Sequence, residues 1–200
     1  MKITAVKQQV KRTDRYSIYV DGKYSFSLGQ SQFVSSGLHS GLELTSDEIN
    51  TFKNDSDIGK IYERTLNLLS YRPRSEWELR DYLRRKKQDP DIIELILNKL
   101  SINGHVNDQK FAERWVENRR LLKSTSRRKL QLELRQKRIP SDVIDKVLAA
   151  DKEETDEQQV LRDLVARKSA RYPDKLKFMQ YLARQGYNYS DIKQVLDEVA

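Results

Sequence analysis

The chain has 200 residues, of which 37% are hydrophobic and 34% are charged, and its 38 Lys and Arg against 30 Asp and Glu give a formal net charge of +8. This composition is typical of a soluble chain that folds as one domain or two small ones, and the positive charge favours an acidic partner such as nucleic acid. The absence of cysteine excludes disulfides and thiolate metal sites, and His39 and His105 lie too far apart in sequence to suggest a metal site.

The sequence has no feature of a membrane protein. It lacks a long apolar run, and no signal-peptide core follows the first 14 residues, MKITAVKQQVKRTD. No helical segment is apolar enough on one face to insert into a bilayer. We therefore expect a cytoplasmic chain that does not contact a membrane.

Residues 1–45 predict a small β-containing region. The segments TAVKQQVKR and YSIYVDGKYSFSL are rich in β-branched and aromatic residues, and Asp21-Gly22 marks a tight hairpin turn. Ser35, Ser36 and Gly37 then indicate a loop. Capping residues from Thr45 to Glu48 precede apolar positions, so residues 46–56 are predicted as a short helix or linker.

From residue 57 onward the pattern is helical and repeats. The segments RRKKQDPDIIELIL (84–97), RQKRIPSDVIDKVL (135–148) and ARQGYNYSDIKQVL (183–196) align without gaps. Three leucines in the first unit have apolar equivalents 51 and then 48 positions later: Leu79, Leu83 and Leu97; Leu130, Leu134 and Leu148; Phe178, Leu182 and Leu196. Such a period is typical of helical repeats.

We therefore predict a mostly α fold with a small N-terminal β region. Three tandem three-helix units, helix-turn-helix-like, are predicted over residues 57–106, 107–152 and 153–200, stacked into an elongated curved body. Side-chain oxygens are expected to cap the second helices at Ser75, Ser126 and Asp174, and the third helices at Asp91, Asp142 and Asp191.

Two motifs within these units carry a family resemblance. The segments RPRSEWELRDYL (72–83) and NDQKFAERWV (107–116), together with the basic tract that follows, resemble the RecX family of recombination regulators. The resemblance implies a protein without catalytic activity or cofactor. It also implies that the chain binds the RecA filament, lies along its helical groove and inhibits ATP hydrolysis, strand exchange and the co-protease role. The protein would thereby modulate DNA repair, homologous recombination and the SOS response.

The distribution of charge is compatible with such a partner. Residues 71–87 hold seven basic and three acidic side chains, residues 109–138 hold eleven and three, and residues 139–159 hold two and seven. Positive charge is thus concentrated in the first and second helices of the units. The predicted partner contacts are Arg72, Arg74, Arg80, Arg84, Arg85, Lys87, Arg119, Arg120, Lys123, Arg127, Arg128, Arg135 and Arg138.

A structural interpretation competes at each of these positions, because an amphipathic helix needs a solvated face and Lys or Arg supply it. For the whole set a partner is favoured, since like charges three and four residues apart repel unless a partner offsets the repulsion. The aromatic residues Trp77, Tyr82 and Trp115 lie on or beside apolar stripes, so we expect them in the core rather than as platforms for bases.

Two other functional classes compete with this interpretation. Enzyme motifs such as a phosphate-binding glycine loop or a nucleophile elbow do not occur. The alternative function is a helical protein that binds DNA directly and acts without RecA, because charge alone does not distinguish the two partners. A monomer with weak direct binding to single- or double-stranded DNA is expected.

Overall fold

The computed structural model describes residues 1–198, and over this range it is mostly helical with one small sheet, which confirms the predicted fold class. The strands are β1 (Ile3–Gln8), β2 (Arg15–Val20) and β3 (Lys23–Gly29). The helices are α1 (Gln30–Ser36), α2 (Ser46–Tyr71), α3 (Glu76–Arg85), α4 (Pro90–Ile102), α5 (Asp108–Lys123), α6 (Arg127–Gln136), α7 (Ser141–Glu154), α8 (Glu157–Lys168), α9 (Lys175–Arg184) and α10 (Tyr189–Glu198). The last two residues of the predicted third unit lie outside this range.

The described chain divides into two compact units. The amino-terminal unit contains residues 1–72 and 89–99, and the carboxy-terminal unit contains residues 73–88 and the chain from Leu100 onward. The predicted boundaries of the three-helix units stay predictions, and so does the elongated curved body.

The amino-terminal unit is built on an antiparallel sheet of order β1-β2-β3. The predicted hairpin is confirmed, because Asp21 and Gly22 join β2 to β3 with φ angles of 48° and 81°. Both angles lie in the left-handed region, which Asp and Gly adopt more easily than other residues and which matches the twist of paired strands. The sheet buries Ile3, Ile18 and Phe26 beneath α2.

Two helices of this unit differ from the prediction. Helix α1 lies where only strand and loop were predicted, and it is held by packing, since Phe33 stacks on Tyr16 with ring centroids 4.4 Å apart. Helix α2 runs without a break through 26 residues instead of ending near residue 56. Its predicted start is confirmed by a capping box between Thr45 and Glu48.

A buried ion pair fixes α2 on the sheet. The side chain of Arg15 on β2 is 2% exposed, and its guanidinium lies 2.7 Å from the carboxylate of Glu63 on α2. The same guanidinium donates to the carbonyl oxygen of Ser27 on β3. A buried arginine needs such partners because an unpaired charge would be strongly destabilising.

The carboxy-terminal unit contains two hydrophobic clusters. The first joins α5, α6 and α7 around Phe111, Leu130 and Leu134, and the second joins α8, α9 and α10 around Phe178 and Leu182. The predicted apolar register is confirmed, because all nine equivalent positions are buried: Leu79, Leu83, Leu97, Leu130, Leu134, Leu148, Phe178, Leu182 and Leu196.

The capping predictions are half correct. Ser75, Ser126 and Asp174 cap α3, α6 and α9, as predicted, by accepting hydrogen bonds from main-chain amides of the first turn. The prediction for the third helices was wrong. Helix α7 begins after Pro140 and has no side-chain cap. At the start of α4, the carboxylate of Asp89 accepts a hydrogen bond from the main-chain amide of Asp91. Asp91, Asp142 and Asp191 lie inside the first turn of their helices, two or three positions beyond the cap position, where a carboxylate interacts favourably with the helix dipole.

Candidate partner-binding surface

Equivalent contacts join α3 to α6 and α6 to α9 in the carboxy-terminal unit. These three helices are the second helices of the predicted three-helix units. The hydroxyl of Ser75, which caps α3, donates to the carbonyl oxygen of Lys137 at the end of α6, at 3.0 Å. The hydroxyl of Ser126, which caps α6, donates in the same way to Gln185 at the end of α9, at 2.7 Å. Both serines are at most 1% exposed. The starts of α3 and α6 therefore lie against the ends of α6 and α9, respectively.

Two further contacts recur at these junctions. The ammonium of Lys137 lies 2.7 Å from Glu78, and at the next junction Lys129 donates to the side-chain oxygen of Gln185, also at 2.7 Å. The first main-chain amides of α3 and α6 each donate to an acidic side chain at the start of a later helix: Glu76 to Asp108 on α5 at 2.8 Å, and Arg127 to Glu157 on α8 at 2.7 Å. The repeat seen in the sequence is thus also a repeat of polar contacts.

Each second helix ends in the same left-handed backbone conformation. The residue two positions beyond the last helical residue has a positive φ in all three cases: 56° at Lys87, 56° at Arg138 and 94° at Gly186. This conformation is common at helix ends, and glycine adopts it with least strain. Two strained positions therefore carry cations where glycine would be conformationally favoured.

Six of the predicted contact residues are exposed and form no ion pair within residues 1–198. They are Arg84, Lys87, Lys123, Arg128, Arg135 and Arg138, and we call them the exposed cation set. Arg84 and Lys87 are equivalent to Arg135 and Arg138 in the repeat, so the same two cations recur at the ends of α3 and α6. Cations there also interact favourably with the helix dipole, by ~0.3–1 kcal/mol each.

Other predicted contact residues are engaged inside the chain. Arg80 pairs with Glu76 at 2.9 Å, Arg85 with Asp81 at 2.7 Å, and Arg119 with Glu133 at 2.7 Å. Arg85 is nevertheless exposed, as is Arg72, whereas Arg74 is half-buried. Sequence spacing predicts which face of a helix is polar, but it does not reveal which cations have acidic neighbours from other helices.

Arg120 and Arg127 belong to an internal ion-pair network. The side chain of Arg120 is 11% exposed and that of Asp151 is 5% exposed, and their closest atoms are 2.6 Å apart. Arg120 also bonds to Glu157 at 2.8 Å, and Arg127 contacts Asp151 at 3.3 Å. Burial disfavours the charged guanidinium of Arg120, but the hydrogen bonds to Asp151 and Glu157 outweigh it and raise its pKa. In this conformation neither arginine is displayed as the prediction supposed.

Trp77 was wrongly predicted as a core residue. It is 39% exposed and lies 6.0 Å from the guanidinium of Arg138, across the junction between α3 and α6. The sequence contains a signal for this placement, since Trp77 aligns with Arg128, which was predicted to point outward. Trp115 packs against the hydrophobic cluster as expected, and its ring also contacts Arg119 at 4.4 Å.

Helix α9, the second helix of the third predicted unit, does not repeat the pair of cations found at the ends of α3 and α6. Where α3 and α6 end with Arg84 and Lys87, or with Arg135 and Arg138, α9 has Ala183 and Gly186. A side chain at Gly186 would collide with the hydroxyl of Ser126 and approach Lys129. The close junction between α6 and α9 therefore requires glycine and excludes a third cation there.

Two negative findings bear on other classes of site. No group of three or more His, Asp and Glu side chains in residues 1–198 is placed to hold a metal ion. Over the same described range, no helix combines the length and apolar character needed to cross a bilayer.

Comparison with protein families gives three matches. Residues 1–45 match the family model described as the regulatory protein RecX N-terminal domain. Residues 62–100 match the RecX first three-helix domain, and residues 107–148 match the RecX second three-helix domain.

Individual proteins are similar over different lengths. A regulatory protein RecX of Listeria welshimeri is 35% identical over 162 residues, which cover 80% of this chain and 58% of the relative. This chain therefore spans less than two thirds of the Listeria protein. A RecX of Bacillus velezensis is 26% identical, with 98% of both chains covered. A crystal structure of regulatory protein RecX is similar to this chain with a TM-score of 0.77 and 28% sequence identity, and 98% of both chains is covered. A crystal structure of RecX from Lactobacillus salivarius has a TM-score of 0.60 and 29% identity, and it covers 71% of this chain and 96% of that chain.

Proposed function

The chain belongs to the RecX family of regulatory proteins, and from this premise we propose that it binds the RecA filament and inhibits ATP hydrolysis, strand exchange and co-protease activity. The chain would act in the cytoplasm as a binding protein that catalyses no reaction itself. Its regulatory effect would fall on DNA repair, homologous recombination and the SOS response.

The observation that carries this proposal is the recurrence of one pair of exposed cations at the ends of α3 and α6. Arg84 and Lys87 recur as Arg135 and Arg138, and the serine-capped junction fixes the distance between the two pairs. A partner with a regular array of acidic groups could contact both pairs at once. Contacts made by two linked groups strengthen each other through effective concentration, so such a partner would gain affinity from the repeat.

Strain at Lys87 and Arg138 gives independent support. Both cations occupy left-handed backbone positions, with a φ of 56° at each. Local strain of this kind is concentrated at functional sites, where the side chain matters more than the stability of the fold. A requirement for a cation at these positions would explain why glycine does not occupy them.

Direct DNA binding without RecA is the second candidate. The exposed cation set would serve phosphates as well as carboxylates, and a protein that neutralises several phosphates loses affinity steeply as salt rises. Binding to the filament would instead require RecA subunits, and it would not require this protein to bind bare DNA tightly.

One pair of assays at a single salt concentration tests the two candidates. RecA is assembled on single-stranded DNA and its ATP hydrolysis is followed while this protein is titrated, and in parallel the same labelled DNA is titrated without RecA. We expect inhibition at protein concentrations well below those that bind bare DNA. Bare-DNA binding as tight as the inhibition would favour the second candidate, and unchanged ATP hydrolysis at saturating protein would refute the first.

A further inference from the structure

An apolar groove with an acidic rim runs between α5 and α7 of the carboxy-terminal unit. It encloses about 630 Å³ and lies on a different helix pair from the junctions of α3, α6 and α9. Val116 and Val147 form its floor and are at most 6% exposed, while Leu121 forms a wall and is 73% exposed. Glu113, Glu117 and Glu154 also line the groove and are exposed, and we call these three residues its acidic rim.

The arrangement of apolar side chains follows from the helix period. Residues 113, 116, 117, 120 and 121 are spaced by three and four, so they share one face of α5. The same spacing brings residues 147, 150, 151 and 154 to one face of α7. An amphipathic segment laid between two such faces could bury Leu121, which now lies largely in water.

The rim gives this groove the opposite charge to most of the protein. Glu117 and Glu154 are exposed and form no hydrogen bond or ion pair within residues 1–198, and Glu113 is bonded only to the neutral Gln109. Arg120, which also lines the groove, is neutralised by Asp151 and Glu157. The local field is therefore acidic in a chain of net charge +8, which repels phosphates and attracts lysine and arginine.

We propose that the groove between α5 and α7 docks a short basic segment of a protein partner, with an aliphatic side chain seated on Val116 and Val147 and cations bonded to Glu117 and Glu154. The inference rests on the proposed function for the identity of that partner, RecA, while the chemistry of the segment rests on the groove alone. The partner would then contact this protein at two places, with acidic groups at the exposed cation set and with basic groups at the groove.

A peptide measurement tests the groove without RecA. The probe is a fluorescein-labelled 14-residue peptide of leucine and lysine at helical spacing, titrated with the full chain and followed by anisotropy. We expect Glu117→Gln/Glu154→Gln to weaken binding by about tenfold or more, since two charge contacts are lost, and Leu121→Ser to weaken it by several-fold. Glu153→Gln is the matched control, because Glu153 is an exposed neighbour outside the groove.

Three outcomes would overturn the proposal. The first is equal affinity of the double variant and the wild type for the lysine peptide, and the second is equal affinity of the wild type for a peptide with glutamate in place of each lysine. The third is self-association of the wild type in sedimentation that the double variant abolishes, which would make a second copy the occupant. Retained circular dichroism of both variants excludes misfolding as the cause of a loss.

Inhibition of RecA links the groove to the partner. The double variant is expected to need several-fold more protein than wild type or Glu153→Gln for equal inhibition of ATP hydrolysis. If the double variant inhibits like an active wild type, the assignment of RecA to the groove is refuted while the proposed function stands. If the wild type itself does not inhibit, the proposed function is refuted and the peptide measurement alone decides the groove.

Discussion

The guanidinium of Arg120 binds the carboxylate of Asp151 through two hydrogen bonds, of 2.9 and 2.6 Å, at the base of the junction between α5 and α7. Asp151 on α7 is buried, and Glu157 on α8 completes the pairing from the following helix. The pair therefore connects the last two groups of three helices. A buried pair of this kind is costly to break from one side, because the remaining charge is left without compensation.

Removing Arg120 should consequently destabilise the fold. We expect Arg120→Ala to lower the free energy of unfolding by about 3 kcal/mol, at the lower end of the range for a broken buried pair because Arg127 still contacts Asp151. Urea unfolding followed by circular dichroism measures the change. Arg128→Ala, an exposed neighbour, is the control and should change stability by less than ~0.5 kcal/mol. Equal midpoints for the two variants would contradict this account of the network.

The left-handed helix ends predict stability changes of opposite sign. Gly186→Ala should destabilise by at least ~1 kcal/mol, because the new side chain meets both the positive φ and the hydroxyl of Ser126. Lys87→Gly should instead stabilise by up to ~1 kcal/mol, since it relieves the same backbone strain in open surroundings. Thermal unfolding of both variants beside wild type measures the two effects. A stabilising Gly186→Ala would show that the junction is looser than described.

Asp108 should make stability depend on pH. Burial raises the pKa of this carboxyl above its ordinary value of 3.8, although the amide of Glu76 opposes the shift. The folded state then binds the proton more tightly than the unfolded state, so this contribution to stability is largest below pH 3.8 and is lost as pH rises through the raised pKa.

Asp108→Asn keeps the acceptor for the Glu76 amide and removes the charge, so it should stabilise the protein at neutral pH and flatten the pH dependence just above the ordinary pKa of aspartate. Urea unfolding between mildly acidic and neutral pH is the measurement. Asp145→Asn, which changes an exposed carboxylate on α7, is the matched control. A less stable Asp108→Asn at neutral pH would show that charge at the start of α5 outweighs burial.

The buried leucines test the register of the repeat. Leu83, Leu134 and Leu182 are equivalent in sequence and at most 1% exposed. Truncation of any one to alanine should cost roughly 2–5 kcal/mol, the range for a fully buried leucine. Denaturant unfolding of the three variants measures this, with exposed Leu132→Ala on α6 as the control. Losses below ~0.5 kcal/mol at the equivalent positions would disprove the register.

The sequence predicted the elements of the repeat well because they depend on local patterns. The spacing of Leu79, Leu83 and their equivalents follows the helix period, and serines before the second helices cap them as expected. Helix α1 was missed because its stability comes from tertiary contacts such as that of Phe33 with Tyr16. Local propensity is only a weak guide where packing decides.

The candidate surface was harder to predict for a similar reason. Whether an arginine is displayed or paired depends on acidic residues brought near it by other helices, such as Asp151 and Glu157 for Arg120. Those residues are 31 and 37 positions away in the chain, so no short-range pattern contains the information. The groove between α5 and α7 likewise requires two helix faces to be seen together.

The proposed function depends on contact between the exposed cation set and RecA. The most direct measurement is inhibition of RecA's DNA-dependent ATP hydrolysis by a variant in which Arg84, Lys87, Arg135 and Arg138 are all changed to Glu. In the matched control, four exposed lysines outside the set are changed to Glu, so that net charge changes equally: Lys110, Lys146, Lys152 and Lys193. Circular dichroism checks that both variants keep their helix content.

We predict that the first variant loses inhibition by orders of magnitude, because linked contacts at α3 and α6 are lost together, while the control inhibits like wild type. A similar change at Lys175, Lys177 and Arg184 on α9 should have a smaller effect, since the repeated cation pair is missing there. If the first variant folds and inhibits as strongly as the control, the exposed cation set is only a solvated face and the account is contradicted.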